Sequence, residues 1–152
     1  MLGTTKPPYT LALLAALLRQ RGQDVRLVDL TASKSSVADL MRQLDADGFA
    51  PTLIVFPSTT PTLHADTQAM QELKTRYGAP LVCFGPHAST TPGESMARAS
   101  AVDAMCVGEP EDAILELAAL SSVNEIGNVA SLTYRRGDEV IPHRAHGSFA
   151  GF

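Results

Sequence analysis

Leu81-Val82-Cys83-Phe84-Gly85-Pro86-His87-Ala88-Ser89 opens as an apolar run of strand length and breaks at Gly85-Pro86 into small and polar residues. In an open parallel sheet, ligands sit beyond the carboxyl ends of the strands, and this break falls there. Gly85 lets the backbone approach a ligand with no side chain in between, Pro86 stiffens the exit, and His87 is held at the rim. Taken alone, a Gly-Pro pair after a strand reads first as an ordinary turn. The flanking chain decides between the two.

Downstream, Ala104-Met105-Cys106-Val107 is a second short apolar strand, ending in Gly108-Glu109-Pro110-Glu111. Pro110 suits the first turn of a helix that runs to about Leu120. Upstream, Thr52-Leu53-Ile54-Val55-Phe56 is a buried strand by length and β-branching, followed by Pro57-Ser58-Thr59-Thr60-Pro61-Thr62. A helix from Leu63 to Tyr77 brings the chain back, and Gly78 ends it. The segment 85–91 is expected to be a loop, with a short helix near 93–99.

Nearer the start, Tyr9 to Gly22 is a helix of strong helix formers, apolar around most of its circumference and so expected to be buried on more than one side. A strand is expected over 25–30. A further helix, capped by Ser33, Ser35 or Ser36, carries Val37, Leu40, Met41 and Leu44 on one face. The tail, 130–134 and 139–141 about Gly137-Asp138, forms a β-hairpin.

This alternation predicts an α/β fold: a Rossmann-like, flavodoxin-like doubly wound parallel sheet with a C-terminal β-hairpin. Three strand-end loops, at 57–62, 85–91 and 108–110, then share one edge of the sheet, and a binding site is expected over them.

Composition narrows the function. The 152 residues suffice for one domain, and a net charge of −4 leaves no basic surface for nucleic acid. Cys83 and Cys106 each lie in an apolar run, which points to free buried thiols and a reducing, cytoplasmic setting. The apolar run from Leu11 to Leu18 is too short to span a bilayer. P-loop, Gly-x-Gly-x-x-Gly and Gly-x-Ser-x-Gly motifs are absent.

Taken in order, these segments resemble the cobalamin-binding N-terminal domain of B12-dependent radical SAM enzymes. Pro7-Pro8-Tyr9-Thr10-Leu11-Ala12-Leu13-Leu14-Ala15-Ala16 is similar to that family's Pro-Pro-Leu-Gly opening into an Ala/Leu helix. Ser58-Thr59-Thr60-Pro61 matches its Ser/Thr loop, and Phe84-Gly85-Pro86-His87-Ala88-Ser89 its Gly-Gly-Pro-His-Ala-Thr loop. Val107-Gly108-Glu109-Pro110-Glu111 resembles its Val-Gly-Glu-Gly-Glu turn, and the hairpin from Leu132 onward its closing strands.

The resemblance implies cobalamin held by Ser58, Thr59, Thr60, Phe84, Gly85, Pro86, His87, Val107, Gly108 and Glu109. It implies a radical SAM catalytic domain as partner, in cis or in trans, and a parent enzyme of methyltransferase or cyclase type. The Cys-x-x-x-Cys-x-x-Cys motif that holds an iron–sulfur cluster is absent, so the 4Fe-4S cluster and S-adenosylmethionine are assigned to that partner. Residues 1–152 are then one cobalamin-binding domain, expected to be a fragment. An apolar strand would precede the Pro-Pro segment in the middle of the sheet, and a three-Cys motif would follow.

Two features depart from the family. Phe84 replaces the first Gly of the Gly-Gly pair, where its ring either restricts the nucleotide tail or stacks on it; both outcomes stay open. Thr10 replaces a Gly at the helix start. The Asp-x-His-x-x-Gly motif of the mutase-type modules is absent, with Thr31 at the His position after Asp29, which implies a base-off cofactor without a strong lower ligand from the protein. A degenerate docking domain that binds no corrinoid is the alternative. His143 and His146 have a spacing that could bind metal on a helix, but Pro142 and the hairpin oppose one there.

Overall fold

In a computed structural model of the protein the described residues are 8–57 and 63–143, with the backbone alone described at 63–65, 87 and 123. The chain divides into two compact units, Met1–Ala50 and Pro51–Phe152.

In the first unit, α1 (Tyr9–Gln20) closes on Gly22, whose φ of +80° is the left-handed conformation glycine adopts without strain. Gly22 N donates to Arg19 O at 2.9 Å and Gln23 N to Leu18 O at 3.1 Å, the paired bonds of a Schellman ending. The helix is not buried all round: Leu14, Ala15 and Leu18 form a buried stripe, while Tyr9 and Leu13 are exposed. Its apolar circumference reflects helix-forming alanines and leucines rather than two packed faces.

The strand expected over 25–30 does not form. Asp29 instead caps a short helix, α2 (Leu30–Ser33), with its carboxylate accepting from Ala32 N at 2.9 Å. That cap draws the end of the apolar run into a helical turn, and the four residues left, with Leu27 and Val28 exposed, are irregular. Helix α3 (Val37–Ala46) opens with a capping box: Asp39 N donates to Ser36 Oγ at 3.1 Å, and Ser36 N to Asp39 Oδ2 at 2.9 Å. The bonds from Ser36, with Arg42 alongside, hold the Asp39 carboxyl below its ordinary pKa.

The second unit is built on a mixed five-stranded sheet, with the strands β1 (Ile54–Pro57), β2 (Leu81–Phe84), β3 (Ala104–Cys106), β4 (Leu132–Arg136) and β5 (Glu139–Ile141) side by side in that order. β1–β2 and β2–β3 are parallel, while β3–β4 and β4–β5 are antiparallel. The α/β architecture and the closing hairpin follow the sequence pattern. Every residue of β2 and β3 is buried, as the uninterrupted apolar runs require of parallel strands covered on both faces.

Helix α4 (Leu63–Tyr77) links β1 to β2. Leu81, Cys83 and Met105 from the sheet pack with Met70 of α4 and with Ala88, Met96 and Ala99 into one core cluster. Helix α7 (Glu111–Ala119) follows β3, and a 3-10 turn at Val123–Asn128 precedes β4. A Cβ at Gly127 would come within 2.6 Å of the Tyr134 hydroxyl, so a larger residue there would have to displace the end of that side chain.

The segment 85–91 is not a simple loop. Pro86–Thr90 forms α5 and Pro92–Arg98 forms α6. Proline's fixed φ and missing N–H suit the first helical position, so each proline that signals a break in the sequence starts a turn of helix here.

Candidate functional site

The carboxyl ends of β2 and β3 lie side by side, because Val82 pairs with Ala104 and Cys83 with Met105. Beyond Phe84 the chain turns sharply at Gly85, at a φ of +118°, which an L side chain rarely adopts. Beyond Cys106 it turns at Gly108, at a φ of +88°. The added Cβ at Gly108 would meet nothing within 4 Å, so the missing side chain leaves open space beside the backbone.

Ser89 joins the two turns. Its hydroxyl donates to Gly85 O at 3.1 Å and accepts from Gly108 N at 3.0 Å. A third segment is tied in by Val107 N, which donates to Ser131 O at 2.8 Å just ahead of β4. Ser131 itself has a φ of +61°, uncommon for a residue with a side chain.

The candidate residues divide by place. Gly85, Pro86, Val107, Gly108 and Glu109 are together at this edge, with Pro86, Gly108 and Glu109 exposed. The His87 backbone lies in the single turn of α5. Phe84 is only 5% exposed, so its ring packs inside the protein and its backbone is what it offers the turn. Ser58, Thr59 and Thr60 lie outside the described residues. His143 is at the far end of β5, where its backbone N donates to Thr133 Oγ1 at 3.2 Å, and His146 lies outside the described residues.

Ser89 was not among the candidates. Its bond to Gly85 O is the local back-bond of a serine four residues on in a helical turn, readable once the helix is known. Its bond to Gly108 spans 19 residues, and no local pattern foretells it.

Chemically the edge is poor in reactive groups. Glu109 carries the one formal charge among the described candidates at neutral pH. Cys83 and Cys106 lie in the strands, and burial pushes both thiols up to about 12, with Asp66 and then Cys106 adding to the shift at Cys83. They stay protonated at neutral pH and are poor nucleophiles and poor metal ligands. Among the described residues no cluster of three His, Cys, Asp or Glu could hold a metal ion. The exposed Gly108 backbone at positive φ, with open space beside it, suits the close approach of a large ligand.

The B12 binding domain family matches residues 2–118. The chain belongs to that family. Its cofactor is cobalamin, and the glycine turns that follow β2 and β3 lie inside the matched region. The chain is 30% identical over 142 residues to an uncharacterized methyltransferase, PH0819, of Pyrococcus horikoshii, covering 92% of this chain and 30% of that protein. It therefore spans less than a third of the curated relative it matches.

Among solved structures, the radical S-adenosylmethionine methyltransferase TsrM from Kitasatospora setae, with cobalamin and a [4Fe-4S] cluster bound, superposes with a TM-score of 0.76 at 20% identity, over 91% of this chain and 29% of that one. The N-terminal domain of the hypothetical protein TM0182 from Thermotoga maritima gives a TM-score of 0.53 at 22% identity, over 80% of this chain and 92% of that one. Both likenesses concern the fold. No helix among the described residues is long and apolar enough to cross a membrane.

Proposed function

We propose that this B12-binding domain carries cobalamin over the carboxyl ends of β1, β2 and β3 and presents it to a radical SAM methyltransferase domain, in the same chain or in a partner. The observation that carries the reading is the pair of left-handed glycine turns, Gly85 and Gly108, bound to one serine hydroxyl within the family's matched region. Bound cobalamin supplies a cobalt centre that can accept and hand on a one-carbon group. This chain's own residues bind and orient.

Gly85 and Gly108 bring bare backbone to the ligand, Pro86 and Val107 border the turns, and the Ser58, Thr59 and Thr60 hydroxyls meet the corrin amides from the remaining loop. His87 stands beside the corrin without serving as a strong cobalt ligand, and Glu109 lies at the rim. The cytoplasm is the compartment proposed, and the net charge of −4 argues against a nucleic-acid partner.

The cluster and S-adenosylmethionine belong to the catalytic domain, because this sequence has two cysteines, both buried, and lacks the three-cysteine motif. The test is reconstitution with hydroxocobalamin, desalting and a visible spectrum. Retained corrinoid absorbance at about one equivalent per folded chain is the expected result. A colourless eluate from folded protein would overturn the reading in favour of a docking domain. In the Co(II) form, electron paramagnetic resonance should lack nitrogen splitting; splitting that disappears in His87→Ala would make His87 a ligand.

A further inference from the structure

We infer that Ser89 is a positioning residue for the cofactor, one that makes the β2 and β3 turns a single rigid surface and decides which part of Gly108 faces the corrinoid. The inference rests on the cobalamin reading above and adds a role for a residue outside the expected ligand set.

A serine hydroxyl has one proton to donate and lone pairs to accept. Gly85 O can only accept and Gly108 N–H can only donate, so the two contacts at 3.1 and 3.0 Å orient the hydroxyl one way. Ser89 is itself held by the backbone, with Ser89 N donating to Gly85 O at 3.0 Å. Its neighbour Ala88 is fully buried in the core cluster, which fixes the helical turn to the sheet. Core, α5, Ser89 and the Gly108 turn thus form one chain of contacts.

Two consequences follow for binding. Gly108 has its N–H committed to Ser89, so what it offers a ligand is its unsubstituted Cα and the open space beside it. The Gly108 turn is also exposed and glycine-based, a segment with many accessible conformations unless something holds it. Holding it before the ligand arrives reduces the ordering cost of binding, which raises affinity without any contact between Ser89 and the ligand.

Because Gly108 is exposed, water can take up its N–H when the serine oxygen is removed, and folding stability should barely change. Affinity should change more. In Ser89→Ala the hydroxocobalamin dissociation constant is expected to rise about tenfold, the order of one lost hydrogen bond. The thermal midpoint without cofactor should stay close to that of the wild type, and amide exchange at Gly108 should accelerate with no ligand present. Ser89→Thr, which keeps the oxygen, should restore both affinity and slow exchange.

An unchanged dissociation constant in a folded Ser89→Ala variant would overturn the positioning role, as would failure of Ser89→Thr to rescue. If the wild type itself takes up no hydroxocobalamin, the cobalamin reading fails and takes the proposed ligand role with it. Slow Gly108 exchange that depends on Ser89 would then still show that the two turns are joined, separating the two failures.

Discussion

At the amino-terminal edge of the parallel strands, the Lys74 ammonium meets Asp103 Oδ2 at 2.5 Å, and the same oxygen accepts Leu81 N at 2.7 Å. Asp103 N returns a bond to Leu81 O at 2.9 Å, and Arg135 reaches from β4 to Met96 O at 2.7 Å. At the opposite edge the β2 and β3 turns share one serine hydroxyl between two glycines. One edge is fastened by charged, part-buried groups. The other is left nearly bare, and the difference teaches where each kind of residue is tolerated. Charges that clamp strand starts would obstruct a ligand at strand ends, where close approach needs backbone without side chains. Stability and binding should accordingly be separable along the strand axis.

The strongest test of that separation is Asp103→Ala. It leaves the N–H of fully buried Leu81 without its acceptor and the half-buried Lys74 amine with only its bond to Ala79 O at 3.2 Å. Unfolding in urea should show a loss of about 2 kcal/mol. The cobalamin affinity of the folded protein should move less than about twofold. An affinity loss as large as the stability loss would mean the two edges are one cooperative unit.

Gly108→Ala probes the bare edge, with Gly137→Ala in the hairpin as its control, since both glycines have positive φ and open space beside them. Each substitution should cost about 1 kcal/mol of stability from backbone strain. Only Gly108→Ala should also weaken hydroxocobalamin binding, by about tenfold, because its new methyl group projects where the ligand is proposed to lie. Equal affinities in the two variants would remove Gly108 from the site.

A pH-dependent test concerns the strand centres between the edges. Cys83 and Cys106 have thiols raised from 9.0 to about 12, so the folded chain keeps protons that the unfolded chain releases above pH 9.0. Their contribution is therefore complete below pH 9.0 and is lost as the pH climbs towards 12. Between pH 7 and 10, stability should fall by about 1 kcal/mol per thiol. The Cys83→Ala/Cys106→Ala variant should show a flatter profile. Equal slopes would indicate that solvent reaches the strand centres from one of the edges.

Local chemistry carried much of the fold into the sequence. Helix α4 runs from Leu63 to Tyr77 with Gly78 at a φ of +66° behind it, as pattern and stop signal required. The hairpin formed around Gly137-Asp138 for the same reason, since turn chemistry acts over a few residues. The run at 25–30 misled because apolar, β-branched residues suit a strand only when a partner strand lies beside them, whereas Asp29 needs no distant partner to cap a helix. The Gly-Pro pair at 85–86 was legible as a break but not as the start of α5, because proline fits a turn and a first helical position equally.

The sequence alone determined the α/β class, the strand-end turns and, through ordered motifs, the B12-binding family, since each is carried by composition or by residues close in the chain. Only the tertiary structure decided that Ser89 binds Gly108, that Asp103 fastens Leu81, and that Phe84 turns its ring inward. Those contacts join residues 19 and 22 positions apart, or depend on which face of a strand is covered. Side-chain direction and strand register arise when the sheet assembles, and no local pattern holds them in advance.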